Sequence, residues 1–296
     1  MSMTRAEEFA EIQKSRWDGE DGEHWVREQE RLDRFMMPVT GPLLEFAGAA
    51  AGERVIDVGC GCGETTLATA KAVGPSGHVT GLDISGPMQA LAKTRLREFA
   101  NVDFILDDAT VAALEPGRSD LIFSRFGVMF FANPVAAFTN LRKALRSRGR
   151  VRFACWRKLS ENPWQRLPLD AIFEHVPRPP KPEPDEPGPF SFGEPERVTR
   201  ILTAAGFEPP TFTPLDVNLD PADGGDVDAA VAHLTGLGSI KRAFAEAPEE
   251  ARAAALVSLR NALQPYASAS GLSMPAAVWL VGATAGSAGS RYISYS

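Results

Sequence analysis

The sequence has few cysteines and lacks any regular spacing of metal-binding side chains. Its 296 residues contain three cysteines, Cys60, Cys62 and Cys155, and four scattered histidines. An odd and sparse set of thiols excludes a disulfide framework and is typical of a reducing compartment. The spacing that a zinc site needs is missing as well. We therefore expect a cytoplasmic protein with no metal.

Positive charge and long apolar runs are also scarce. Lysine and arginine number 31 against 38 aspartates and glutamates, which gives a formal net charge of -7 at pH 7. That sign disfavours a surface that neutralises nucleic-acid phosphates. No apolar run approaches the roughly 20 residues that span a bilayer, and the N-terminus alternates charges where a signal peptide is apolar. We expect neither a nucleic acid nor a membrane as partner.

The composition that is present is that of a globular protein, with 44% hydrophobic and 23% charged residues. Its length favours two units, or one large α/β domain with an insertion. From residue 53 to 156, short apolar runs alternate with amphipathic stretches, as in successive βα units of a mostly parallel sheet. The runs of strand length are Arg54–Val58, His78–Leu82, Val102–Leu106, Leu121–Ser124 and Arg150–Cys155. The best-marked helix, 134–145, has Asn133 as its N-cap and Pro134 at its first position.

The pattern changes after Trp156. Residues 176–189 contain seven prolines, which forbid a helix and predict a stiff, extended connector or lid arm. A helix over 195–205 and a strand from Phe207 follow, and the paired prolines at 209 and 210 place that strand at a sheet edge. Two alanine-rich helical stretches between 227 and 263 precede a last apolar run, 276–283. They predict a helical insertion between the last two strands.

Residues 54–63 read RVIDVGCGCG, a strand that carries Asp57 and runs into Gly59, Gly61 and Gly63. Ligands bind beyond the carboxyl ends of strands in an open α/β sheet, and glycines there let a ligand approach the backbone. A dinucleotide turn needs a third glycine where this chain has Glu64, whose charge would face a pyrophosphate. The pattern suits a zwitterionic amino acid instead. Backbone amides would hold its carboxylate, and Asp57 its ammonium group.

Two further acids follow the next predicted strands. Asp83 ends the second strand about 20 residues past the turn, where a carboxylate can accept both hydroxyls of a ribose. After the third, Asp108 can accept from the exocyclic amine of an adenine and Ala109 can donate to its ring nitrogen. The adjacent Asp107 leaves open which aspartate meets the adenine. Together these positions predict a ligand built of amino acid, ribose and adenine.

This constellation resembles the class I S-adenosylmethionine-dependent methyltransferases, closely over residues 53–156 and more loosely elsewhere. The motif SRFGVMFF at 124–131 and the pair CW at 155–156 are similar to a bacterial small-molecule branch near the methylases of quinone biosynthesis. The resemblance implies a Rossmann-like α/β fold, with a seven-stranded, mostly parallel sheet in the order 3-2-1-4-5-7-6, strand 7 antiparallel and helices on both faces. The implied segments are an N-terminal helical cover (1–50), a cofactor-binding core (51–157), a proline-rich lid or linker (158–193), a completion of the sheet (194–285) whose insertion at about 226–265 forms part of the acceptor pocket, and a flexible tail (286–296).

The resemblance also implies an activity: transfer of the methyl group of S-adenosylmethionine to an oxygen, nitrogen or carbon atom of a small, aromatic or apolar metabolite. This is an SN2 displacement that depends mainly on alignment and releases S-adenosylhomocysteine. The residues expected at the cofactor are Trp25, Asp57, Gly59, Cys60, Gly61, Gly63, Thr65, Asp83, Ile84, Met88, Asp108, Ala109, Ser124, Arg125 and Phe126. The residues expected at the acceptor are Met129, Phe130, Trp156 and Trp164. His24 is the candidate general base, with an exposed helix histidine as the alternative.

Several alternatives stay open. A protein of this fold can bind S-adenosylmethionine without transferring methyl, as a cyclase, a decarboxylase or a sensing or assembly protein. An NAD-linked oxidoreductase and a nucleic-acid methylase are disfavoured by Glu64 and by the acidic charge balance. The thiols of Cys60 and Cys62 are interpreted as incidental, and Arg125 as either a ligand for an acceptor carboxylate or one half of an ion pair. The chain is expected to be a monomer or a homodimer.

Overall fold

The structure is a computed structural model that describes residues 3–183 and 185–286. Its strands are β1 (Arg54–Val58), β2 (His78–Asp83), β3 (Val102–Leu106), β4 (Ser119–Arg125), β5 (Leu145–Trp156), β6 (Thr211–Leu219), β7 (Ala267–Ser268), β8 (Gly271–Leu272) and β9 (Met274–Thr284). Seven of them form one sheet in the order β3-β2-β1-β4-β5-β9-β6, and β7 and β8 pair separately. Counted within the large sheet, this is the order 3-2-1-4-5-7-6 that the resemblance implies, and the predicted fold is confirmed.

The strand directions explain where a ligand can bind. The strands β1 to β5 are mutually parallel, and β9 runs antiparallel between β5 and β6. The carboxyl ends of the five parallel strands therefore meet at one edge of the sheet, the edge at which open α/β sheets bind ligands. The glycine turn lies there, directly after β1.

Four strands, β4, β5, β6 and β9, begin elsewhere than their apolar residues predict, and β9 begins at Met274 rather than 276. The strand β5 starts at Leu145 rather than Arg150, and β4 at Ser119 rather than Leu121, because Ser119 and Leu145 pair across a register shift that no apolar run marks. The strand β6 starts at Thr211, after the two prolines, which have no N–H for a ladder. Its predicted position at a sheet edge is confirmed.

Eleven α-helices surround the sheet in the described part of the chain. They are α1 (Arg5–Trp17), α2 (Glu20–Arg27), α3 (Gln29–Ala47), α4 (Glu64–Val73), α5 (Gly86–Arg95), α6 (Pro134–Ala144), α7 (Pro163–Phe173), α8 (Pro195–Ala204), α9 (Val227–Thr235), α10 (Gly238–Glu246) and α11 (Glu249–Leu263). The first three form the N-terminal cover, and the last three form the insertion between β6 and β9. The helix α10 is not among the two predicted stretches, because glycines at 236 and 238 mark a break where the chain only turns.

The sheet is packed on both faces by aromatic and aliphatic side chains. On one face, α3 packs against β4, β5 and β6 and buries Val39 and Leu43 completely. On the other, Phe138 of α6 is fully buried among the rings of Phe153 and Phe207. Each such side chain stabilises the fold by about 2 kcal/mol relative to exposure. The helix α6 begins as predicted, since the Asn133 side chain accepts from the amide of Ala136 at 3.1 Å.

The proline-rich connector has no helix or strand in its described residues between 177 and 189. Its far end is tied to the core, because Gly188 N and Ser191 Oγ donate to the carbonyl oxygen of Met129, at 3.1 and 2.7 Å. The predicted flexible tail, 286–296, lies outside the described residues except for Gly286. Within the described ranges no helix combines the length and apolarity that crossing a membrane requires.

Candidate functional site

The glycine turn after β1 has a backbone that only glycine tolerates well. Gly59, Gly61 and Gly63 have φ angles of 68°, 52° and 84°, in the left-handed region. A Cβ on Gly59 would stand 2.7 Å from the Cα of Gly127, where β4 ends and the next turn begins. The turn therefore lies between two strand ends, and its own amides hold it there, since Gly59 N donates to the carbonyl oxygen of Leu82 at 2.8 Å.

Asp57 lies under this turn and is completely buried. The hydroxyls of Thr65 and Thr66, at the start of α4, both donate to its Oδ2 at 2.7 Å. Its Oδ1 is also buried, and no described residue offers it a hydrogen bond. Burial raises the pKa of Asp57 to about 6, and the charge of Asp83 acts in the same direction. Thr66 is a site residue that the sequence reasoning missed, although it stands beside the predicted Thr65.

Asp83 joins the turn to the end of β2. Its Oδ2 accepts from the amide of Gly61 at 2.7 Å, and its Oδ1 from the amide of Ser85 at 2.9 Å. Burial raises the pKa of Asp83, while these backbone hydrogen bonds oppose the rise. Each carboxylate oxygen keeps a second lone pair. Asp83 can thus hold the turn in place and still accept from a ligand. The adjacent Ile84 is half-buried.

The two aspartates after β3 continue the same row. Asp107 donates its amide to the carbonyl oxygen of Asp83 at 3.0 Å. Its Oδ1 accepts from the amide of Asp108 at 2.8 Å, and Asp108 Oδ1 accepts from the amide of Thr110 at 2.7 Å. Ala109, next in the chain, is buried. The predicted acids therefore stand at the ends of three neighbouring strands, β1, β2 and β3.

The end of β4 closes the other side of the turn. Ser124 Oγ donates to the carbonyl oxygen of Val58 at 2.7 Å and so clamps β4 to β1. Arg125 forms an ion pair with Glu64 and donates to Thr40 Oγ1 at 2.7 Å. Of the two roles left open for Arg125, an ion pair or a ligand for an acceptor carboxylate, the ligand-free structure shows the ion pair. Sequence reasoning missed this partnership of Glu64, because nothing in the sequence brings residues 64 and 125 together.

The two thiols of the turn are buried, and Met88 of α5 packs against the turn. Burial raises the pKa of Cys62 to about 12 and that of Cys60 well above its ordinary value. Both therefore carry a neutral thiol, which is a poor nucleophile. The methyl group of Met88 lies against Gly61 from the side of α5. The described residues include no group of three or more His, Cys, Asp or Glu side chains that could hold a metal ion.

A chain of aromatic rings leads from the turn into the protein. Phe126, which has a φ of 66°, stacks on Trp156 with ring centroids 4.1 Å apart. Trp156 contacts Trp164 at 5.1 Å, Trp164 contacts Phe35 at 5.5 Å, and Phe35 contacts His233 at 5.2 Å. Phe35 and His233 are not among the predicted site residues, since they come from the cover and the insertion.

A second aromatic group lies under the cover. Trp17 contacts Phe130 at 5.0 Å and Trp25 at 6.4 Å between ring centroids. The cover is fastened over the turn, because Asp18 Oδ1 accepts from the amide of Gly86 at 2.8 Å and the Cys62 thiol lies 3.9 Å from the carbonyl oxygen of Trp25. The predicted acceptor residues thus divide into two groups, Phe130 on the cover side and Trp156 with Trp164 on the ring chain.

Met129 and His24 complete the predicted set. Met129 is fully buried, and its Sδ lies 3.4 Å from the amide nitrogen of Trp156. His24 lies against the insertion: its Cε1 is 3.4 Å from the position of a Cβ on Gly236, at the end of α9. It is half-buried rather than exposed. The structure therefore places His24 against the insertion.

These features match a known fold. A seven-stranded sheet in this order, with a glycine turn after β1 and acids at the ends of β2 and β3, is the fold of the class I S-adenosylmethionine-dependent methyltransferases. Residues 55–149 match the family model for a methyltransferase domain. Over 109 residues the chain is 33% identical to a demethylmenaquinone methyltransferase of Staphylococcus aureus, a match that covers 37% of this chain and 45% of the relative. The chain thus spans a little under half the length of the curated relatives it matches. The predicted resemblance is confirmed.

Solved structures agree on the fold. A protein of Bacillus halodurans assigned as a methyltransferase aligns with 84% of this chain and 99% of its own, at a TM-score of 0.54 and 14% identity. The YcgJ protein of Bacillus subtilis aligns with 83% of this chain and 97% of its own, at a TM-score of 0.52 and 16% identity. A phosphoethanolamine N-methyltransferase of Haemonchus contortus, solved with S-adenosylhomocysteine, aligns with 84% of this chain and 53% of its own. Its TM-score is 0.50 and its identity 17%. At these identities the likeness is one of fold.

Proposed function

We propose that this chain transfers the methyl group of S-adenosylmethionine to an oxygen, nitrogen or carbon atom of a small aromatic or apolar acceptor. The observation that carries the proposal is the unpartnered Oδ1 of the buried Asp57 beneath the glycine turn. A buried carboxylate oxygen without a partner costs free energy, and a cationic group placed against it would recover that cost. The ammonium group of an amino-acid ligand is such a cation.

The rest of the ligand fits the residues around the turn. The amides that precede α4, at the positive end of the helix dipole, suit the ligand's carboxylate. Asp83 suits the ribose hydroxyls, and the Asp107–Asp108 pair suits the adenine amine. Asp57, Asp83 and the Asp107–Asp108 pair stand at the ends of β1, β2 and β3. This is the order of the amino-acid, ribose and adenine parts of the ligand.

The aromatic residues beside the turn suit the reacting end. When bound, S-adenosylmethionine supplies a methyl group on a positively charged sulfonium. The stacked rings of Phe126 and Trp156 offer faces that attract a cation and a surface that excludes water. The chain's further task is to hold the acceptor in line, which alignment alone can accomplish. The likeness to a demethylmenaquinone methyltransferase supports a ring-shaped acceptor.

Calorimetric titration tests the first half of the proposal. We expect S-adenosylmethionine and S-adenosylhomocysteine to bind and NAD not to bind. Asp83→Ala removes two charge-assisted hydrogen bonds and should weaken binding at least about 100-fold. Asp103→Ala is the matched control, because that exposed carboxylate of β3 lies outside the site. Failure of both sulfur nucleosides to bind would contradict the proposal.

The second half concerns transfer. A panel of aromatic acceptors should yield S-adenosylhomocysteine in equal amount to methylated product. Turnover of a substrate without that release would favour a protein of the same fold that binds S-adenosylmethionine without transferring methyl. A cytoplasmic location, the absence of nucleic-acid partners and a monomeric or dimeric state stay predictions.

A further inference from the structure

Glu64 puts a negative charge at the start of the helix that follows the glycine turn. It is the first residue of α4, and the N-cap of that helix, Gly63, has no side chain that could accept from the first amides. Free amides at a helix N-terminus suit the carboxylate of a ligand. An unpaired Glu64 carboxylate would repel that same group, because two like charges in one site disfavour each other.

Arg125 neutralises this charge. Its guanidinium forms an ion pair with Glu64, and the two side chains are only 11% and 16% exposed. The same Nη1 donates to Thr40 Oγ1 at 2.7 Å, and that hydroxyl donates to the carbonyl oxygen of Met36 at 3.0 Å. Both N–H groups of Nη1 are thus used within the protein. Thr40 of α3 therefore holds the guanidinium on the Glu64 side of the turn.

The charge of Arg125 also acts on the turn itself. Burial raises the pKa of Asp57 to about 6 and that of Cys62 to about 12, and the positive charge of Arg125 opposes both rises. A second arginine at the turn, Arg95, has other partners: it donates to the carbonyl oxygen of Cys62 at 2.6 Å and pairs with Asp33 at 3.0 Å. Among the described ion pairs, Arg125 is the partner of the carboxylate at the start of α4.

The two ends of a zwitterion would respond differently to this ion pair. A ligand carboxylate at the first amides of α4 lies beside Glu64, whereas its ammonium group suits the unpartnered Oδ1 of Asp57. If the positive charge of Arg125 is removed, the Glu64 carboxylate repels the ligand's carboxylate and attracts its ammonium group. The ion pair therefore bears on one half of the amino acid in particular.

We propose that Arg125 acts through Glu64: it neutralises the Glu64 carboxylate and so makes the site select nucleosides that carry a carboxylate. This deepens the proposed function and rests on it, because it concerns the amino-acid end of that same site. Both are positioning residues. The ion pair keeps the start of α4 available to a negatively charged group, and the nucleoside that has only an ammonium group gains nothing from it.

The test compares S-adenosylhomocysteine with decarboxylated S-adenosylhomocysteine, two probes that differ in one carboxylate, by calorimetric titration into the full chain. The wild type should bind the first at least about 10-fold more tightly, since a charge-assisted hydrogen bond provides that factor. In Arg125→Met the ratio of the two affinities should fall to about 2 or less, while the affinity for the decarboxylated probe stays within about twofold or rises.

A second substitution separates neutralisation from direct binding. Glu64→Gln together with Arg125→Met removes both charges, so the ratio should return to within about threefold of the wild type. Arg125→Lys keeps the positive charge and should keep most of the preference. A double variant that stays as unselective as Arg125→Met would mean that Arg125 binds the ligand directly or serves only the fold, and the inference would be wrong.

Arg150→Met is the matched control. Arg150 pairs with Glu53 at 2.8 Å, with side chains 20% and 15% exposed, at the opposite end of β1 from the glycine turn. Removing this ion pair should leave the ratio of the two affinities unchanged. If Arg125→Met does not fold, Arg125→Gln, which keeps a donor for Thr40, is judged by the same criteria.

The same titrations separate this inference from the proposed function. A wild type that binds neither probe refutes the function, and the inference with it. A wild type that binds both probes equally refutes only the inference, as does an Arg125→Met variant that keeps the preference or loses affinity for both probes to the same extent.

Discussion

The two halves of the candidate site are built by different means. The cofactor side is made of the glycine turn and the ends of β1, β2 and β3, so its groups lie within one stretch of chain from Asp57 to Asp108. The proposed acceptor side lies where the cover, α7 and the insertion meet, at the contacts of Phe35 with Trp164 and with His233. One half depends on backbone conformation, and the other depends on how distant helices pack.

The halves also differ in the kind of unpartnered side chain that they bury. The cofactor side encloses an unpartnered acid, Asp57, and the acceptor side encloses unpartnered bases, His24 and His233. Under the proposed function, the ligand with a cationic group is the one that suits the glycine turn, because the unpartnered acid lies there.

The largest expected effect tests whether the glycine turn requires the close approach of Gly59 to the backbone of Gly127. Gly59→Ala and Gly48→Ala both place a Cβ at a left-handed φ, 68° and 57°, but only at Gly59 does the Cβ come too close to backbone, 2.7 Å from Gly127 Cα. We expect a loss of about 1 kcal/mol in the free energy of unfolding for Gly48→Ala and of about 3 kcal/mol or more for Gly59→Ala. Urea unfolding measures both. Equal losses would remove the close approach of the two strand ends from the explanation.

The next effect is a trade-off at Asp57 between the stability of the ligand-free protein and its affinity for S-adenosylmethionine. The pKa of Asp57 is raised from 3.8 to about 6, so the folded protein holds this proton between about pH 4 and 6 while the unfolded chain releases it. The stability of the ligand-free protein therefore falls as the pH rises through that window. Asp57→Asn keeps an oxygen for Thr65 and Thr66 and removes the charge. We expect a gain of about 2 kcal/mol at pH 8 and none at pH 4, with at least a 10-fold weaker affinity for S-adenosylmethionine.

Urea unfolding at the two pH values and calorimetric titration give the two readings. Thr69→Val serves as a control, because it alters another buried hydroxyl of α4 that does not contact Asp57. If Asp57→Asn is less stable than the wild type at pH 8, the buried charge of Asp57 is not what destabilises the turn.

The acceptor side should respond to pH with the opposite sign. Burial lowers the pKa of His233 from 6.5 to about 4, so its contribution to stability is complete above pH 6.5 and is lost as the pH falls towards 4. From pH 7.5 to 5.5 we expect this residue to account for a loss of about 1 kcal/mol. His233→Phe should remove that part of the pH dependence and leave the Asp57 part intact. An unchanged slope in unfolding experiments would place the titrating group elsewhere.

The smallest effect concerns the contacts that join cover and insertion. Glu20 pairs with Lys241, and Asp21 lies 3.8 Å from Arg242, all at the surface. Exposed pairs contribute little and are screened by salt. We expect Lys241→Glu to accelerate release of S-adenosylhomocysteine modestly at low salt and not at about 1 M salt, where the Debye length is roughly 3 Å. The double reversal, with Glu20→Lys, should restore the rate in stopped-flow measurements, and a salt-independent change would argue against an electrostatic contact.

Particular residues show where prediction from sequence succeeds. The strands up to β3 agree with their apolar runs to within one residue, and Asn133 and Pro134 mark the start of α6. The turn glycines predict left-handed backbone conformations, because other residues adopt them only at a cost in free energy. Thr66 and Glu64 were missed as site residues, since a partner for each is visible only once strand ends are assembled.

Sequence patterns alone predict the parallel strands β1 to β5, the glycine turn and the acids that follow β1, β2 and β3, whereas the strand order came from the resemblance. These depend on local conformation and on strand ends that a parallel sheet must bring to one edge. Only the tertiary structure decided that Arg125 pairs with Glu64, that α10 exists as a separate helix, and that His24 faces α9. Such contacts join residues with no periodic relation in the chain, so they follow from packing of the cover and insertion rather than from any local pattern.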